Sequence, residues 1–304
     1  MTLGDKIRVE KTWKTVLETY VEKGGVMFVL GGVDTGKSTF VRWIANELLY
    51  RGVKPAIVDC DVGQSDIGPP TTIGMAVIKK HFSGYDEISA DGIYFTGDVK
   101  PEGRLLQGLT GTIKMVEKAK TESCSHIILN TTGWIHGAAI FYKHCKIDAF
   151  SPGMLVAFQK EKELYPITSP YRKMTSINSF FIVPTSAARQ RDRDERRKNR
   201  SEHFFRYFKN APLLAIPAKK MGISGTYFPI DGERVQDLLV ALIDNSGEHR
   251  AIGIVKAYNT KIKMLEIKTP FDDKPNKIRR IHFEHFRYIE ENVRDSPGES
   301  EIGC

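Results

Sequence analysis

The sequence predicts an α/β fold: a parallel sheet with helices on both faces, followed by a small C-terminal β-rich module. Three observations carry this expectation. Short apolar runs alternate with amphipathic stretches through the first two thirds of the chain. Those runs lack the polar alternation of a sheet with one wet face, so they read as strands buried on both sides. Beyond about residue 222 the texture changes to branched runs broken by turn signals.

In chain order, an amphipathic stretch at Trp13–Val21 precedes Val26–Leu30 (VMFVL), an apolar run bounded by glycines that reads as a buried strand. Lys37–Arg51 reads as a helix with Phe40, Val41, Ile44 and Leu48 near one face and Gly52 as its stop. Pro55–Asp59 (PAIVD) is the second buried strand. A Gly/Pro-rich loop over Val62–Thr72 follows, then a strand near Ile93–Thr96, a helix across Leu105–Lys120 and the strand His126–Asn130 (HIILN). Met154–Phe158 and Phe180–Pro184 add two further apolar runs to the same sheet. Repeated strand–helix units of this kind build a parallel sheet covered on both faces. The expected division is a main domain over 1–221, a β-rich module over 222–290 with turn signals at Asn245–Gly247 and Asn259–Lys261, and a polar, flexible tail over 291–304.

Composition narrows the function. The chain has 304 residues, 41% hydrophobic and 27% charged, which is the balance of a globular protein with a real core. No window approaches the roughly 18 apolar residues of a membrane span. The start, MTLGDKIRVEKTW, lacks the basic-then-apolar layout of a secretory signal. Cys60, Cys124, Cys145 and Cys304 lie far apart with no C-x-x-C pair, which argues against a disulfide framework and a cysteine-based zinc module. A soluble, cytoplasmic protein with no membrane contact is expected; oligomeric state is not encoded in any of these signals. Lys and Arg number 45 against 37 Asp and Glu, a net charge of +8, which calls for an anionic partner. The excess is local. Residues 189–209 carry nine Lys/Arg against four Asp/Glu, an excess of five.

Gly31-Gly32-Val33-Asp34-Thr35-Gly36-Lys37-Ser38 fits G-x-x-x-x-G-K-[ST] between one expected strand and one expected helix, the context that separates a phosphate-binding loop from a chance match. Glycines let backbone N–H groups curl into an anion-binding nest at a helix N-terminus, where the dipole favours phosphate. Lys37 would reach the β/γ-phosphates as a point charge, Ser38 would ligate Mg²⁺, and Thr39 closes the loop. The fold class is therefore that of a P-loop NTPase, with ATP or GTP and Mg²⁺ as expected cofactors.

Asp59-Cys60-Asp61-Val62-Gly63-Gln64 follows PAIV, so two carboxylates emerge at the carboxyl edge of the sheet, where open α/β folds bind ligands. One acid can serve the metal and the other accept a proton from an attacking hydroxyl, and Asp59 and Asp61 can exchange these roles. Gln64 can orient a water or contact substrate. Thr131-Thr132-Gly133-Trp134 leaves the strand HIILN in the same way. An indole beside a glycine at a strand end is well placed to stack on a base, and the two threonines either cap the next helix or hold a phosphate. Arg191, Arg196 and Arg200 fall at intervals of five and four ahead of Phe204, Phe205 and Phe208. That spacing suits a lid over about 189–209 that brings guanidinium groups onto phosphate.

With these motifs in place the chain resembles the RNA polynucleotide 5′-hydroxyl kinases related to the mRNA cleavage-factor kinase and the pre-rRNA-processing kinase. The resemblance rests on Gly31–Ser38 with its Val33-Asp34-Thr35 insert, D-x-D-x-G-Q at Asp59–Gln64, T-x-G-W at Thr131–Trp134, and R-x-x-x-x-R-x-x-x-R at Arg191, Arg196 and Arg200, and it runs over about residues 10–290. It implies transfer of the ATP γ-phosphate to 5′-OH ends of RNA or DNA, with Lys37 and Ser38 on phosphates and Mg²⁺. It further implies Asp61 as general base, Trp134 as a clamp on nucleic acid, and the lid arginines on the transferring group. Two departures stand out. Only about 25 residues precede the first strand, where larger relatives carry an N-terminal β domain. Lys100-Pro101 stands where relatives often have Ser-Pro, adding a cation near the substrate path. A non-catalytic ATP-binding scaffold is the competing expectation, and a dimeric P-loop ATPase or a small-metabolite kinase a third. The paired acids, T-x-G-W and lid arginines argue against both.

Overall fold

The apolar runs become strands because each is short and too hydrophobic to leave either face in water. The computed structural model describes residues 9–184, 192–225 and 232–288. The chain divides into two compact units: Met1–Asp192 with Gly247–Arg250, and Arg193–Ser246 with Ala251–Cys304. Among the described residues no helix is long and apolar enough to cross a membrane.

The first unit comprises α1 (Lys11–Lys23), β1 (Gly25–Gly31), α2 (Lys37–Tyr50), β2 (Pro55–Asp59), β3 (Thr72–Val77), β4 (Gly92–Phe95), α3 (Leu105–Thr121), β5 (His126–Asn130), α4 (Ala138–Phe150), β6 (Met154–Phe158), the single turn α5 (Tyr165–Thr168) and β7 (Asn178–Ile182). Its strands lie in the order β7-β6-β1-β5-β2-β3-β4. β7, β6, β1, β5 and β2 are mutually parallel. Alternate residues of β1 feed two cores. Phe28 and Leu30 pack with Met115, Val116 and Ala119 of α3. Met27 and Val29 pack on the other face with Leu17 and Tyr20 of α1 and Phe40 and Ile44 of α2. Helices thus cover both faces, as the strand pattern requires.

One strand departs from the expectation. β3 runs antiparallel to both β2 and β4, so the parallel order is interrupted at that edge. It begins at the residue where the Gly/Pro-rich loop was expected to end, and all six of its residues are buried. Gly74 makes it possible: a Cβ there would lie 1.8 Å from the Ile67 carbonyl oxygen, so only glycine admits the preceding loop.

The start of β5 contains a buried titratable group. His126 Nε2 donates to the Tyr20 carbonyl at 3.0 Å and Nδ1 accepts from Ser125 Oγ at 2.9 Å, which fixes a neutral ring stacked edge-on against Tyr20. Burial lowers its pKa, outweighing its backbone hydrogen bonds. The unfolded chain, whose histidine titrates near 6.5, therefore takes up a proton that the folded ring resists. Stability should be constant above that pH and fall as pH drops below it, with a slope of up to about 1.4 kcal/mol per pH unit from this residue. Denaturant midpoints of wild type and His126→Gln between pH 5 and 8 check this: the variant should have the flatter acid limb.

The second unit is built from α6 (Arg193–Phe208), β8 (Leu213–Pro217), β9 (Gly222–Gly225), β10 (Leu238–Asp244), β11 (His249–Asn259), β12 (Met264–Lys268) and β13 (Ile278–Arg287). β10 pairs antiparallel with β13, and β12 antiparallel with β11 and β8, while β9 joins β13 in parallel. Ile216, Val240, Leu242, Leu265, Ile267, Ile281 and Phe283 fill its core. Helix α6 docks through aromatics: Phe204 and Phe208 stack on Tyr288, and the Tyr207 hydroxyl accepts from the Ile252 amide.

Candidate functional site

The sheet register brings three strand ends to one edge. Gly31 of β1 is level with Phe158 of β6, Val29 with Asn130 of β5, and Asn130 with Asp59 of β2. The loop from Gly32 to Gly36 leaves β1 there, with Asp34 at φ 54° and Gly36 at φ 92°, and turns directly into α2. Lys37 is only 8% exposed and folds back across the loop, donating to the Gly32 carbonyl at 2.6 Å. Thr35 Oγ1 donates to the same carbonyl at 3.0 Å. Burial pulls the Lys37 pKa down to about 8, against the opposing pull of Asp61, Asp34, Asp66 and Asp59. A desolvated ammonium held among peptide dipoles is a strong anion site once a polyanion replaces the missing solvation.

The three carboxylates beside it have different duties. Asp59 is fully buried; its Oδ1 accepts from the Asp61 amide and Asn130 Nδ2, and its Oδ2 accepts from the Asp66 and Ile67 amides. Burial, then the Asp66 and Asp61 charges, hold it well above the usual carboxylate range. Asp59 thus shapes the loop from 61 to 67. Asp61 is half-buried, and only its Oδ1 is used by the turn, accepting from the Gly63 and Gln64 amides. The Gln64 side chain donates to the Gly63 carbonyl at 2.8 Å. Asp66, which the sequence did not single out, accepts from Ser38 Oγ at 2.8 Å. Its signal was present as a third acid in the run Asp59–Asp66.

Asn130 was also missed. Its Nδ2 donates to Ser38 Oγ and to Asp59, while its Oδ1 is buried without a hydrogen-bond donor among the described residues. No group of three or more His, Cys, Asp or Glu among the described residues is placed to hold a metal. The donor set is therefore Ser38 Oγ, the carboxylates of Asp61 and Asp66 and the buried Asn130 amide oxygen, beside a phosphate loop. This fits Mg²⁺, which takes one or two protein oxygens and completes its shell with phosphate and water, one of which would donate to Asn130 Oδ1.

The T-x-G-W segment stands against the phosphate loop. A Cβ on Gly133 would lie 2.8 Å from the Val33 amide nitrogen and Cα, so the two turns touch backbone to backbone. Thr131 Oγ1 donates to the Val29 carbonyl at 2.8 Å, and Thr132 receives Lys143 Nζ on its carbonyl at 2.8 Å and its hydroxyl at 3.4 Å. Both threonines are buried and occupied by the protein itself. Trp134 is half-buried, tilted 40° to the Tyr142 ring at 6.5 Å.

Thus Gly31, Gly32, Val33, Asp34, Thr35, Gly36, Lys37, Ser38, Thr39, Asp59, Asp61, Gln64, Thr131, Thr132, Gly133 and Trp134 gather at one sheet edge of the first unit. Arg196 and Arg200 lie in the second unit on α6, half-buried, on the face that Phe204 and Phe208 continue at spacing four. Arg191 lies outside the described residues, as does the start of the expected lid at 189. Lys100 is exposed, its amide donating to Asp98 at 3.0 Å.

Residues 31–210 match the family model of the mRNA cleavage and polyadenylation factor CLP1 P-loop. Similar proteins include the polyribonucleotide 5′-hydroxyl-kinase of Pyrococcus furiosus, 30% identical over 317 aligned positions that cover 87% of this chain and 88% of the relative. That of Methanocaldococcus jannaschii is 30% identical over 319 positions, covering 88% and 87%. Among solved structures, the wild-type Clp1p–Pcf11p (454–563) complex contains a chain of the same fold, with a TM-score of 0.69 at 13% identity over 90% of this chain and 77% of that one.

Proposed function

The chain belongs to the CLP1 P-loop family, and from that premise we propose that it is an ATP-dependent polynucleotide 5′-hydroxyl kinase acting on RNA ends and, more weakly, on DNA ends. The observation that carries this reading is the contact of Gly133 with Val33, which sets a nucleic-acid clasp directly on a nucleotide-binding loop. The names of the archaeal relatives, similar over nearly their full length, support it. The intact Asp61 and the lid arginines favour turnover over a purely structural use of ATP.

In this mechanism positioning and charge neutralisation do most of the work. Ser38 and Asp66 would hold Mg²⁺ on the protein side, where it would supply charge neutralisation to the bound phosphates. Asp61, with one oxygen free of the turn, takes the proton of the 5′-hydroxyl as that oxygen bonds to the γ-phosphorus and the bond to ADP breaks. Lys37 follows the charge onto the leaving phosphates. Arg191, Arg196 and Arg200 stabilise the transferring group from the lid. Trp134 stacks on a base, and Gln64 orients the attacking end. Three described cysteines, Cys60, Cys124 and Cys145, are free thiols, which fits work in a reducing, cytoplasmic setting.

The test is direct. Labelled ATP and GTP are each incubated with matched 5′-OH RNA and DNA oligonucleotides, single-stranded and duplex, with and without Mg²⁺. Transfer to RNA with ATP is expected to be fastest and to require Mg²⁺; no label on any oligonucleotide would sink the assignment.

A further inference from the structure

Helix α4 buries two lysines. Lys143 and Lys146 are each 1% exposed, on the face shared with Ala139, Tyr142 and Ile147. Lysines are almost never fully buried unless paired, because desolvation penalises the ammonium and the long side chain loses its rotamer freedom. Among the described residues neither makes a salt bridge to a carboxylate, although the Asp61 charge reaches Lys143. Lys143 is aimed at backbone, donating to the Thr132 carbonyl at 2.8 Å and reaching its hydroxyl at 3.4 Å. Burial, then the nearby Lys146 and Lys37, pushes its amine well below the usual lysine range. Lys146 sits over the Tyr142 ring at 4.5 Å.

The next residue after Thr132 is Gly133, packed on Val33, and the one after that is Trp134, whose ring neighbour Tyr142 stands beside Lys143 on the same helix. A single donor from α4 therefore fixes the carbonyl at the hinge of the turn that aims the indole. We propose that Lys143 is a positioning residue for the nucleic-acid clasp: its hydrogen bond to Thr132 sets the turn that holds Trp134 over the substrate and against the phosphate loop. It touches neither nucleotide nor reacting atoms. This inference rests on the kinase reading above.

The experiment is a double-mutant cycle on the full chain. Lys143→Met keeps the aliphatic stem and removes the donor; Lys143→Gln restores a donor on a shorter arm; Trp134→Ala removes what the turn aims. Loss of one such support should raise KM for 5′-OH RNA about tenfold, with kcat within about threefold and ATP affinity within about twofold of wild type. Lys143→Gln should recover a substantial part of that loss. In a Trp134→Ala background, Lys143→Met should add less than about twofold, because the two residues act as a unit. Additive losses, an equal fall in ATP affinity, or Gln no better than Met would overturn the role. Should Lys143→Met not fold, Lys143→Gln and Lys143→Arg take its place in the same cycle, with non-additivity supporting the proposal and additivity ending it. Absence of transfer by the wild type would instead remove the kinase reading beneath it, so the two failures are distinct.

Discussion

Lys37→Ala should abolish measurable phosphoryl transfer, a loss on the order of 10³-fold or more, while the protein stays folded. The size follows from where the side chain lies. Lys37 is the cation inside the phosphate loop itself, nearly buried and spanning it to the Gly32 carbonyl. The surrounding groups are carboxylates, namely Asp34, Asp59, Asp61 and Asp66. Remove the ammonium and the site becomes a cluster of acids facing a polyanion, so both nucleotide affinity and transition-state charge neutralisation suffer. Folding should tolerate the change, because the lost group gives up a desolvated charge and its main hydrogen bond is to a carbonyl in a half-exposed loop. Lys37→Arg should not restore activity, since a planar fork does not occupy the place of a compact point charge. Transfer rates of the purified variants, with thermal melts as the folding control, decide the matter; wild-type rates from Lys37→Ala would remove the loop from the mechanism.

The phosphate loop was legible because everything it needs is local: a strand, eight residues of fixed type and a helix start, in that order. The remainder of the site was legible in proportion to its locality. Asp61 and T-x-G-W follow apolar runs and could be placed at strand ends from their position alone. Asp66 could not, because its significance is a hydrogen bond to Ser38, 28 residues away in the chain. Which of Asp59 and Asp61 serves the metal could not be read from the sequence, because what distinguishes them is the register that sets Asp59 against Asn130, where its oxygens receive amides from its own loop. β3 was hidden by Gly74 and by the Gly-Pro-Pro-Thr run before it, which read as loop until the approach of Ile67 is known. Lys143 and Lys146 were hidden by residue type. Lysine reads as a solvated face, yet Ala139, Tyr142, Lys143, Lys146 and Ile147 recur at the spacing of one helix face, and that stripe was the available signal. Position in a periodic pattern outweighed the polarity of the side chain.

Arg196→Ala should reduce the transfer rate by about 10³-fold or more while leaving ATP affinity nearly intact. An arginine that meets the γ-phosphoryl group in transit adds most as its charge redistributes, and adds little to a ground state already held by the phosphate loop. The variant keeps the aromatic anchors of its helix. Helix α6 is fastened by Phe204, Tyr207 and Phe208, about two to three turns beyond Arg196. The charge distribution supports the same division of labour: nine of the chain's Lys and Arg fall within residues 189–209, yet the nucleotide loop holds only Lys37. Raising salt should therefore weaken oligonucleotide binding more steeply than ATP binding, because lid contacts to an exposed polyanion release counterions that a buried loop does not. Single-turnover rates and equilibrium ATP binding, measured on Arg196→Ala and wild type at two salt concentrations, separate these effects. If ATP affinity falls in step with the rate, the arginine is part of the nucleotide site and the lid assignment is wrong.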